Sequence, residues 1–120
     1  MKLPESKYFD HKNFVVSDKS VIKKLTIAYR TWGKLNQEKD NAILIYDNEP
    51  RNAEIIKKIE EVIDLGYKVC IWNDRRIEDC KDINDMVIKG LSESEIIEII
   101  NRNTVYGLSA KLQLVEYKKI

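Results

Sequence analysis

Residues 42–46 read AILIY, residues 67–72 read YKVCIW, and the segment between them decides the fold. Each is a short apolar run bounded by turn-forming residues, which suits a strand buried on both faces in a parallel sheet. Between them, Pro50 suits the first turn of a helix, where a missing N–H costs nothing. Ile55, Ile56, Ile59, Val62 and Ile63 then recur at helical spacing, and Gly66 stops the helix. Strand, helix, strand is a βαβ unit, the connection that parallel strands require.

Outward from this unit, residues 74–80 form a charged loop, and Ile83 to Ile88 suit a short helix ended by Gly90. Ser92-Glu93-Ser94-Glu95 has the spacing of a capping box and opens a helix through Ile96, Ile97, Ile99 and Ile100. Past Gly107, the i, i+4, i+7 stripe of Leu108, Leu112 and Val115 predicts a final amphipathic helix. On the N-terminal side, Phe14–Val16 and Lys24–Thr31 have strand character. A turn at Asp18-Lys19-Ser20 would pair them as a hairpin. The expected fold is α/β: an N-terminal β-hairpin joined to a small parallel sheet, with C-terminal helices. The expected boundary lies near Asp40, giving segments 1–40 and 41–120.

The 120 residues suffice for one domain and little more. Twenty-one Lys and Arg against 20 Asp and Glu leave a net charge of +1. That balance argues against a nucleic-acid coat protein or a polybasic membrane anchor, and leaves room for a local basic patch. No apolar run approaches the roughly 20 residues of a membrane span, and the first residues hold no apolar signal core. The expectation is a cytoplasmic protein with no membrane contact. Two cysteines, Cys70 and Cys80, are too few for a structural zinc site. Cys70 is expected in the core and Cys80 in an exposed loop. Trp32 and Trp72 are expected to pack rather than stack on bases.

The segment YDNEPRN places Asp47 and Glu49 just past the carboxyl end of the first strand, where α/β sheets hold ligands. Two carboxylates there can share magnesium, which prefers oxygen ligands and usually bridges to phosphates. Arg51 beside them suits a phosphate as a planar fork. The same residues are also ordinary helix-start residues. A second acidic segment, Lys81-Asp82-Ile83-Asn84-Asp85, follows the second strand. It reads equally as a helix cap, with Asp82 at the N-cap and Asp85 at the third helical position. Neighbouring parallel strands end on the same sheet edge. Asp47, Glu49, Asp82 and Asp85 are therefore expected to converge there, and to repel one another unless a cation binds. Arg75, Arg76, Lys118 and Lys119 are further candidate phosphate contacts.

YDNEPRN, GYKVCIW, KDINDMVIKGLS and NTVYGLSAKL together resemble the C-terminal part of the DNA primases of T-even-like phages, over roughly residues 42–120. Those proteins carry a Toprim-type fold. The resemblance implies a magnesium ion held by Asp47, Glu49 and Asp82. Glu49 stands where the family pattern has Asp, and Asn84 replaces the second acid of the later segment. It also implies phosphate contacts from Arg51 and Lys81, and nucleotides or single-stranded DNA as ligands. A replicative helicase is an implied partner, and a DNA-directed primase (nucleotidyltransferase) the implied enzyme. The earlier Toprim strand ending in Glu has no match before Asp47, nor does the zinc-binding module of primases. The resemblance thus implies a fragment that retains part of the site, is inactive alone, and leaves no catalytic residue to assign.

LTIAYRTWGKLNQEKDNAILI resembles the N-terminal region of homoserine O-acetyltransferases, an α/β-hydrolase family, over residues 8–45. That family's chemistry needs a G-x-S-x-G nucleophile elbow with downstream Asp and His. The sequence has no such elbow, and its single histidine, His11, precedes every motif and is expected on the surface. The two resemblances meet inside NAILI, as expected of a hybrid or truncated reading frame. The alternative is a non-catalytic interaction module of acetyltransferase ancestry.

Overall fold

The computed structural model describes residues 4–15, 21–38 and 40–120, without the side chains of residues 9, 11, 13–15 and 21–29. The turn expected at Asp18–Ser20 and the surroundings of His11 lie outside the described residues. The chain forms two compact units, Lys2–Lys34 and Leu35–Ile120.

The first unit is an antiparallel hairpin of β1 (Lys7–Val15) and β2 (Val21–Tyr29). Its register pairs Lys7 with Tyr29 and Val15 with Val21. The strands are longer than the hydrophobic alternation suggested, because cross-strand pairing carries polar residues such as Lys12 and Lys24 into the ladder. Lys7 Nζ donates to Thr31 Oγ1 at 3.1 Å, and Arg30 Nε donates to Ser6 Oγ at 3.2 Å, closing the open end. Trp32, expected to pack, is 43% exposed.

The second unit is α/β. It runs β3 (Ile43–Ile45), α1 (Ala53–Asp64), β4 (Lys68–Cys70), α2 (Ile83–Lys89), α3 (Glu93–Arg102), β5 (Thr104–Val105) and α4 (Gly107–Tyr117), with a 3-10 turn at Arg75–Ile77. β3 and β4 are parallel, Leu44 opposite Val69. β5 adds to the other side of β4 in antiparallel sense, so the sheet is mixed and β4 is its centre. This accounts for an asymmetry that the sequence hides. Val69 and Cys70 are buried, whereas all three residues of β3 are only half-buried, as befits an edge strand.

α1 starts later than Pro50 suggested. Asn52 is its N-cap, and its side-chain oxygen accepts from the N–H groups of Glu54 and Ile55. The helix lays Ile56, Ile59 and Ile63 on the sheet, each contributing roughly 2 kcal/mol of burial. At its end, Gly66 N–H donates to Ile63 O and Tyr67 N–H to Val62 O. That crossed pair forms a Schellman motif, and Gly66 takes the left-handed conformation it needs, at φ +86°. The capping box at Ser92 and Glu95 is present. In α4 the buried residues are Ala110, Leu114 and Tyr117, while Leu108, Leu112 and Val115 point outward. Both sets have i, i+4, i+7-like spacing, so periodicity alone selected the wrong face.

Candidate functional site

The two acidic tips are joined by main-chain and side-chain bonds. Asn48 N–H donates to Lys81 O at 2.6 Å. Asn48 Nδ2 donates to Ile77 O and Cys80 O, at 3.2 and 3.1 Å. Asn48 Oδ1 accepts from the Tyr117 hydroxyl at 3.0 Å. Trp72 Nε1 donates to Tyr46 O at 2.8 Å, tying the exits of the two parallel strands together. The loop after β4 is thereby drawn onto the core. Cys80, expected to be exposed, is only 3% so. Its thiol is pushed up chiefly by burial and next by the Asp79 charge. Cys70 is buried as expected, and burial pushes its thiol up to about 12. Neither sulfur is a ready nucleophile at neutral pH.

Around this junction the structure brings together the acidic residues singled out by the sequence. Asp47 is half-buried, and burial is the largest cause lifting its carboxyl above the ordinary carboxylate range. The Asp82 and Glu49 charges lift it further, Lys81 pulls it down, and Asp85 adds a smaller push. The Asp47 carboxylate has no hydrogen-bond or ion-pair partner among the described residues. Glu49 accepts from Asn52 Nδ2 at 3.2 Å and lies 3.9 Å from Lys81 Nζ. Because Asn52 caps α1, neither Asp47 nor Glu49 serves as its N-cap.

The capping account does hold for the second tip. Asp82 Oδ1 accepts from Asp85 N–H at 2.8 Å, and Asp85 Oδ2 accepts from Lys81 N–H at 3.0 Å. Arg51 lies in an exposed turn, without an ion pair among the described residues. Among the described residues, no group of three or more His, Cys, Asp or Glu side chains is arranged to hold a metal ion by itself. Any ion here would take fewer ligands from the protein and the rest from water and substrate. Magnesium accepts that arrangement. Asp47 also offers what a cation needs, a partly desolvated and unpartnered carboxylate in a field of like charges.

Asn48 and Tyr117 further line a cavity of about 580 Å³ between the loop after β4 and α4, with Asn73, Asp74 and Gln113 among its walls. Sequence reasoning missed both residues. An amide lodged between two acids at a strand exit is a usable signal, since Asn has donors and an acceptor to satisfy loop backbone. Nothing local marks Tyr117, whose partner is 69 positions away.

The carboxyl ends of two parallel strands, where these carboxylates gather, are where α/β sheets hold ligands. No family model matches the chain. In sequence it is 38% identical over 95 residues, 75% of its length, to a DNA primase of Enterobacteria phage T4. The chain spans 28% of the length of that curated relative.

Proposed function

We propose that the chain is part of a phage-type DNA primase, and that its acidic crevice holds magnesium against nucleotide phosphates. The observation that carries this reading is the Asp47 carboxylate, half-buried and unpartnered while facing the charges of Asp82 and Glu49. The similarity to the phage primase supports it. Asp47 and Glu49 are the residues that would hold the ion, with the nearby Asp82 charge adding to the field that attracts it. When bound, the ion neutralises carboxylate and phosphate charge together. Lys81, 58% exposed and 3.9 Å from Glu49, is placed to meet a phosphate at the rim, and Arg51 is free to swing towards one.

On this reading the chain alone binds a nucleoside triphosphate without making primers, since the Toprim Glu segment has no match in it. Calorimetric titration with ATP, in magnesium and then in EDTA, tests the proposal. Binding that requires magnesium and weakens at least about tenfold in Lys81→Ala is expected, a loss in the range of one charge-assisted contact. Equal binding in EDTA, or none in magnesium, would contradict it.

A further inference from the structure

Asn48 spends its N–H and every polar atom of its side chain on segments distant in sequence. Its N–H goes to Lys81 O, its two amide protons to Ile77 O and Cys80 O, and its Oδ1 takes the Tyr117 hydroxyl. Yet it stands between Asp47 and Glu49, the two acids of the first tip. A shift of Asn48 therefore shifts both acids relative to Lys81 and Asp82.

We propose that Asn48 is a positioning residue: it sets the register of the two acidic tips and ties that register to α4 through Tyr117. The proposal rests on the reading of those tips as an ion and phosphate site. Only an amide supplies this set. Asp would turn acceptors towards two carbonyl oxygens. Ala would leave the Cys80 carbonyl without its side-chain donor and the Tyr117 hydroxyl without its acceptor, and would leave the Ile77 carbonyl only the Cys80 N–H. Tyr117 is 9% exposed and lines the cavity together with Asn48, so a water taking the place of the amide oxygen would leave the first tip untied from α4. α4 packs against α1 as well, so the clamp links the first tip to a helix whose position the core already fixes.

The test compares the unmutated chain with Asn48→Ala, Tyr117→Phe and a core control, Ile99→Val, by amide hydrogen exchange and NMR shifts. Magnesium titration of all four follows. In Asn48→Ala the amide at position 48 should exchange faster, and the signals of residues 81–85 should move while those of α3 stay. Its magnesium dissociation constant should rise roughly tenfold, as when a residue supporting ion ligands is removed. Tyr117→Phe, which deletes one hydroxyl, should move the same signals less, and it carries the test if Asn48→Ala does not fold. The control should lower the melting temperature and move neither readout. Unmoved 81–85 signals and a protected amide at position 48, in a variant that melts earlier, would reduce Asn48 to a structural role and overturn the proposal. If the unmutated chain takes up no magnesium, the ion reading fails, and the exchange data still decide the role of Asn48.

Discussion

At the scale of single residues, the two acidic tips differ in what already occupies them. Asp82 has one oxygen committed to a helix cap, while Asp47 has none committed. Asp82→Ala should therefore cost about 1 kcal/mol of stability from the lost cap. Asp82→Asn should keep the cap and, by removing one repelling charge, raise the melting temperature of the ion-free protein slightly, while weakening magnesium uptake. Chemical denaturation and ion titration of both variants check this. Asp74 offers an independent check on the electrostatics. The hydrogen-bonded Arg76 side chain, 2.8 Å away, holds the Asp74 carboxyl below the ordinary carboxylate range. A folded value below the unfolded one stabilises at neutral pH, and that contribution is lost as pH falls through the folded value. Asn also caps, so Asp74→Asn retains the bond to the 3-10 turn. The melting temperatures of Asp74→Asn and the unmutated chain should differ at neutral pH and converge in acid. A gap that stays constant down to about pH 3, below the usual Asp value, would contradict the assignment.

At the scale of elements, the reading of the sequence held where local signals were redundant. The βαβ unit was legible because apolar runs, helical periodicity and Gly66 agreed. The Ser92 capping box was legible because its chemistry is local. What failed was the choice between equivalent patterns. α4 has two apolar stripes, and only contact with α1 and β5 selects Ala110, Leu114 and Tyr117 for burial. The third strand was missed because β5 is two residues long, too short for any period to register. The start of α1 was misplaced because Pro50 was a conspicuous marker and Asn52 a quiet one. The α4 correction predicts opposite fates for neighbouring leucines. Leu114→Ala, at a site 5% exposed, should cost about 2–5 kcal/mol. Leu112→Ala, at a site 63% exposed, should stay within about 0.5 kcal/mol. Urea denaturation of both variants separates the two faces.

At the scale of the whole molecule, convergence of the acidic tips was legible from topology alone, because parallel neighbours end on one edge. The clamp that joins them was not, since it depends on a tyrosine in the last helix. Charge at this scale limits nucleic-acid binding. The net charge is +1, and Arg76 is already engaged by Asp74. Arg51, Arg75, Lys118 and Lys119 remain as exposed candidates. Two or three phosphate contacts to a single strand give a salt slope of about 1.4–2. Binding of an oligonucleotide should thus fall severalfold between low and physiological salt. Tight, salt-independent binding would show a stacking surface that this account lacks.

The central claim is that Asp47 is held among like charges for a cation. Thermal melting of the unmutated chain and of Asp47→Asn, each with and without magnesium, tests it most directly. Removing one of several repelling charges should raise the melting temperature of the ion-free protein. Magnesium should stabilise the unmutated chain by mass action as its concentration passes the dissociation constant, and should leave Asp47→Asn unchanged. A flat magnesium response in the unmutated chain, together with an Asp47→Asn variant no more stable than it, would contradict the account.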